Sequence, residues 1–147
     1  MTKNTSYNLF FCLDENYLPS LYWAFKTFIK FNNPQIFKIH FVVTLDKLTL
    51  SEFKKKILTT MEDISPNFNI VIKQFIPPDN LVSTLLKYTK ILKKHIKTRS
   101  KKNEGNANQD KMHIFYNMGN WSRFYISTMF PDVKIGLYLD LDILFKG

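Results

Sequence analysis

Asn8-Leu9-Phe10-Phe11-Cys12-Leu13 is a short apolar run that passes straight into Asp14-Glu15-Asn16-Tyr17. A continuous apolar run of this length reads as a buried strand, and the acidic stretch after it as a polar loop. Pro19 stands where a first helical turn accepts proline, because the N–H groups of that turn have no helical partner to lose. Leu18, Leu21, Tyr22, Phe25, Phe28 and Ile29 follow at helical spacing, and Asn32-Asn33-Pro34 stops the helix. A buried strand feeding an amphipathic helix decides the fold class once the unit repeats.

The unit repeats along the chain. Ile36 to Thr44 reads as a second strand. Thr49 and Glu52 have the spacing of a capping box, ahead of a helix with Leu50, Phe53, Ile57 and Met61 on one face. Phe68 to Phe75 alternates as a third strand, with Phe68, Ile70 and Ile72 set against Asn69 and Lys73. Pro77-Pro78 breaks it and offers Asp79 as the N-cap of a helix carrying Val82, Leu85, Leu86, Thr89, Leu92 and Ile96, with lysines on its other side. Thr98 to Asp110 is polar and reads as a loop or insertion. Asn120 is placed to cap a helix through Phe130, with Trp121, Phe124, Tyr125 and Met129 inward, and Ile135 to Leu139 reads as the last strand. This alternation predicts an α/β fold: a mainly parallel sheet flanked by helices. The 147 residues read as one domain, with a basic helix and polar insertion at about 85–112. A chain this long buries roughly two thirds of its unfolded surface.

Composition narrows the function classes. Hydrophobic residues make up 45% of the chain and aromatics 16%, which excludes a disordered protein. The net charge of +9 suggests nucleic acid until its distribution is inspected. Eight bases and no acid lie between Leu85 and Lys102; without them the 21 bases fall to 13, against 12 acids. The body is near neutral, and the basic segment reads first as a solvated helix face and second as a contact for an anionic partner. The four glycines, Gly105, Gly119, Gly136 and Gly147, build no phosphate loop, so dinucleotide-binding and P-loop readings fail. Cys12 is the single cysteine, and the start, Met1 to Ser6, has no apolar signal core. No run approaches about 18 apolar residues, so no membrane span is expected, and the expected location is cytoplasmic.

Ligands of parallel sheets sit at the carboxyl ends of the strands, and two polar clusters lie there: Asp14 to Asn16, and Asp140-Leu141-Asp142. Residues two apart on a strand face the same way, roughly 7 Å apart. Asp140 and Asp142 can therefore share a hard cation, Mn²⁺ or Mg²⁺, that keeps open positions for phosphate oxygens. The triplet alone is equally the pattern of an acidic turn at a strand end. Cys12 reads as a small buried side chain, Trp121 and Tyr125 as core. His40, His95 and His113 read as ordinary core or surface histidines.

The flanks of the triplet add a resemblance. Leu137-Tyr138-Leu139-Asp140-Leu141-Asp142-Ile143-Leu144, preceded by Trp121-Ser122-Arg123-Phe124-Tyr125 and Phe130-Pro131-Asp132-Val133, resembles glycosyltransferase family 8, and so does Phe11-Cys12-Leu13-Asp14-Glu15-Asn16-Tyr17. The two blocks lie at opposite ends of the chain, in the family's order. The resemblance implies a GT-A (Rossmann-like) fold, here truncated after the DxD motif. It also implies sugar transfer with retention from a UDP-sugar donor to an acceptor that is a glycan, protein or lipid. It implies that Asp14 accepts from the uracil imide, Asn16 contacts the ribose, and Cys12 and Tyr17 lie in the same donor-binding stretch. Arg123 would lie near the donor, and Asp140 and Asp142 would bind Mn²⁺ (or Mg²⁺) with the diphosphate and ribose. The family's third metal ligand is a histidine far downstream, which none of the three histidines here matches, and no catalytic residue is assigned. A non-catalytic UDP-sugar-binding or partner module lacking the acceptor half is the alternative. A homodimer that completes the site from a second chain is a further expectation.

Overall fold

A computed structural model describes residues 6–99 and 118–142. The strands are β1 (Tyr7–Leu13), β2 (Phe37–Val43), β3 (Asn69–Gln74) and β4 (Leu137–Tyr138). The longer helices are α1 (Leu18–Phe31), α2 (Leu50–Ile64) and α3 (Asp79–Arg99). Two short helices, α4 (Met118–Ser122) and α5 (Ile126–Met129), are joined by a 3-10 turn, Arg123–Tyr125.

All strand pairs are parallel, in the order β3-β2-β1-β4. The expected α/β architecture is therefore observed. The chain steps outward from β1 to β2 to β3 and then returns past β1 to lay down β4. That reversal opens a crevice between β1 and β4 at their carboxyl ends, where open α/β sheets bind ligands.

Both faces of the sheet are covered. Leu9, Phe11 and Leu13 of β1 pack with Phe25 and Phe28 of α1 and with Phe53 of α2. Phe10 points the other way and packs with Val42, Phe75 and Phe130. This two-sided burial explains why β1 shows no polar alternation. His40, 2% exposed on β2, joins the second layer. Its ring stacks on Phe10 at 4.5 Å and meets Phe130 edge-on at 4.9 Å. Its Nε2 bonds Asn8 Oδ1 at 2.9 Å, while Nδ1 has no partner among the described residues. Burial, with Lys38 and Lys73 nearby, lowers its pKa to about 4. His40 is a core histidine, as expected.

The caps follow local chemistry. Thr49 and Glu52 form the expected capping box on α2: Thr49 Oγ1 accepts from Glu52 N at 3.3 Å, and Glu52 Oε2 accepts from Thr49 N at 2.8 Å. Several boundaries differ from the sequence reading. Asp79 is the first residue of α3, not its cap, and the turn is closed by Pro78 O accepting from Leu81 N and Val82 N. α3 buries Leu85 but leaves Leu86 52% exposed. The helix also continues through Thr98 and Arg99, into the expected loop; the rest of that loop lies outside the described residues. Asn120 sits inside α4 and does not cap a helix, and Phe124 is 71% exposed on the intervening 3-10 turn. The last strand is two residues long, not five.

Candidate functional site

A cavity of about 200 Å³ occupies the crevice. β1 and its loop contribute Cys12, Leu13, Asp14 and Tyr17; the other wall is Asn120, Arg123, Tyr138, Asp140, Leu141 and Asp142.

The β1 side is built by its own turn. Asp14 Oδ1 accepts from Asn16 N at 2.9 Å, and Tyr17 N donates to Asp14 O at 3.1 Å. This is the turn that an aspartate forms with backbone N–H groups two or three residues on. It swings Tyr17 to the cavity and leaves Asn16 exposed, outside the lining. Glu15 fastens the turn from behind. Its Oε1 accepts from the backbone N–H groups of Asp46, Lys47 and Leu48 at 3.2, 2.8 and 2.7 Å. Those bonds, Leu48's foremost, hold its carboxyl below the usual range.

Ser122, fully buried, packs beneath the β1 side and hydrogen-bonds the Cys12 thiol. Burial pushes that thiol up to about 11, so Cys12 stays protonated near neutrality and is no nucleophile.

Arg123 is held in place before any ligand arrives. Its Nε donates to Asn120 O at 2.9 Å and its Nη2 to Asn120 Oδ1 at 3.2 Å. The guanidinium carbon lies 5.5 Å from the centre of the Tyr138 ring, and Nη1 is 4.0 Å from Asp140 Oδ1.

β4 delivers the acidic triplet. Leu137 and Tyr138 pair with Leu9 and Phe10, and Leu139 N donates to Phe10 O at 2.9 Å. A turn then begins at Leu141, so strand geometry does not set the spacing of the two acids. Leu141 sets it instead. It is 4% exposed and packed in the core layer beneath α1 and α2, while Asp140 and Asp142 on either side are exposed and line the cavity. Burying a leucine contributes about 1.5–3 kcal/mol, enough to hold two mutually repelling carboxylates at one site. The Tyr138 hydroxyl donates to Asp140 Oδ1 at 2.5 Å. Burial and this bond to a carboxylate both raise the Tyr138 pKa, so the hydroxyl remains a donor.

Six of the seven expected residues therefore meet in one cavity: Cys12, Asp14, Tyr17, Arg123, Asp140 and Asp142. Asn120, Ser122, Tyr138 and Leu141 were not foreseen. Tyr138 could have been: it stands two before Asp140, the same spacing used to pair Asp140 with Asp142. Ser122 gives no signal in sequence, since its partner lies across the sheet.

The family model of Glycosyl transferase family 8 matches residues 8–147. The chain belongs to that family. No curated protein and no solved structure matches it. A family 8 chain is in general terms a glycosyltransferase, with a nucleotide-sugar donor and an acceptor. The four-stranded parallel sheet with flanking helices is consistent with the family's GT-A fold. Asp140 and Asp142 suit a hard divalent cation: they are oxygen donors, exposed, and adjacent on one cavity wall. Among the described residues, no group of three or more His, Cys, Asp or Glu could hold a metal. No helix among the described residues is long and apolar enough to cross a membrane.

Proposed function

We propose that this family 8 chain binds a UDP-sugar in the β1/β4 crevice, with Mn²⁺ (or Mg²⁺) at Asp140 and Asp142, and transfers the sugar with retention. One observation carries the reading: residues from opposite ends of the chain converge on one cavity at the sheet's switch point. Asp14 at the end of β1 accepts a hydrogen bond from the uracil imide, with Cys12 beside the base. Tyr17 and Asn16 belong to the same turn, Asn16 on its solvent side toward the ribose. Arg123, already oriented by Asn120, meets the diphosphate with its remaining N–H groups. Three carboxylates and one guanidinium line this cavity, so by itself it repels a polyanion. A bound cation reverses that balance and, as a Lewis acid, neutralises charge on the departing diphosphate.

Calorimetry with UDP tests the proposal. Submillimolar binding is expected with Mn²⁺, and Asp140→Ala or Asp142→Ala should weaken it by about tenfold or more, about 1.4 kcal/mol. Binding that ignores both Mn²⁺ and the two substitutions would sink the reading.

A second reading, a non-catalytic UDP-sugar-binding module, draws on a cavity whose described lining is accounted for by donor and cation contacts alone. It shares the site and differs in outcome: the pure chain would bind UDP-sugar with Mn²⁺ yet neither hydrolyse nor transfer it. Measurable release of UDP, lost in Asp140→Ala, decides for the enzyme.

A further inference from the structure

Among the described residues Asp140 has two polar contacts, and both fall on the same oxygen. Tyr138 donates its hydroxyl to Oδ1 at 2.5 Å, and Arg123 Nη1 stands 4.0 Å from that same Oδ1. Oδ2 takes no hydrogen bond from a described residue. We infer that Tyr138 is a positioning residue for the cation: by engaging Oδ1 it fixes the Asp140 carboxylate so that Oδ2 faces the cavity as the ligand atom. The inference rests on the metal reading of Asp140 and goes beyond it by naming the group that orients the ligand.

Three features of the geometry favour an orienting role over simple packing. The Tyr138 ring is fixed at both ends. Its strand position is set by pairing with Phe10, and the Arg123 guanidinium, itself tied to Asn120, lies over the ring at 5.5 Å. The Asp140 residue follows the last ladder pair and is exposed, so the strand does not hold its side chain. Finally, a hydroxyl is the right partner here. It satisfies one carboxylate oxygen without adding a formal charge that would compete with a cation at the other. Groups that hold a metal ligand from behind typically change metal affinity by 10–100-fold when removed.

The test is Tyr138→Phe in the full chain, which keeps the ring beneath Arg123 and removes only the hydroxyl. Mn²⁺ alone is titrated by electron paramagnetic resonance, then UDP is titrated with and without Mn²⁺, beside Asp140→Asn and wild type. The expected result is Mn²⁺ affinity weakened about tenfold or more, with melting temperature unchanged. Three results overturn the inference. Mn²⁺ affinity could equal wild type in Tyr138→Phe while Asp140→Asn loses it, which leaves the metal reading standing. Mn²⁺ affinity and melting temperature could fall together, which makes Tyr138 a structural residue. Or Asp140→Asn could bind Mn²⁺ like wild type, in which case the metal reading falls too.

Discussion

At the residue scale, the turn after β1 and the buried histidine respond to acid in calculable directions. Glu15 gains its three backbone bonds as a carboxylate, so its contribution is present above its ordinary pKa and fades as pH falls through the lowered one. His40 behaves differently. Its folded pKa is depressed from 6.5 to about 4, so the fold prefers the neutral ring and the unfolded chain binds the proton first. Its effect is absent above pH 6.5, grows as pH falls, and levels off once the folded ring also protonates near 4. Urea midpoints at pH 7 and pH 4.5 check this. His40→Phe should be weaker than wild type at pH 7, where Asn8 loses its partner, yet lose much less on going to pH 4.5. An unchanged pH slope in the variant would remove His40 as the cause. Phe10 and Phe130 clamp this ring between β1 and the segment that carries Arg123, so its protonation should also loosen the cavity wall.

At the element scale, β4 is the weak member of the sheet, and Gly136 admits it. A Cβ at Gly136 would run into the Phe10 ring, which is 3% exposed and held at 4.5 Å by His40 and 5.2 Å by Phe130. The substitution must push that buried ring aside. Gly136→Ala should therefore cost about 1–3 kcal/mol in urea unfolding. It should also weaken UDP binding with Mn²⁺, because Tyr138 and Asp140 move with the strand. Wild-type stability in the variant would show that β4 does not need the close approach. β4 also shows why some elements were legible in sequence and others were not. β1 and β2 announced themselves as continuous apolar runs buried on both faces, and α1, α2 and β3 by the period of their apolar residues. Ile135 to Leu139 is apolar, yet Ile135 is 84% and Leu137 57% exposed, and only Leu137 and Tyr138 pair. Pairing length depends on where β1 still has unpaired groups, which local sequence does not encode. The break at Arg123–Tyr125 is of the same kind: the segment bends to set Tyr125 against Phe75 and Phe130 into the core. Of the cavity, Asp14, Asp140 and Asp142 were legible from their type and their place at strand ends, and Arg123 through the family resemblance; Asn120 and Tyr138 stand close in sequence to the residues they hold, but only the folded geometry shows those bonds.

At the scale of the whole molecule, stability is uneven by construction. β1 and β2 pair along seven residues, and β2 is flanked on both sides, whereas β4 adds two residues at one edge. Native-state hydrogen exchange should find β1 and β2 opening only with global unfolding, and residues 118–142 opening at lower free energy. UDP with Mn²⁺ should slow exchange in 118–142 and leave β2 unaffected. Uniform protection before and after ligand would contradict this division. The return of the chain to β1 also has a consequence in time. Asn8 and Ile135 touch across 127 positions of sequence. Closing so long a loop is entropically costly and slow compared with forming neighbouring pairs. During synthesis, three strands and their helices can assemble while the second half of the cavity has yet to leave the ribosome. The β1/β4 cavity thus forms after the three-strand layer, and ligand binding can serve as a clock for that step.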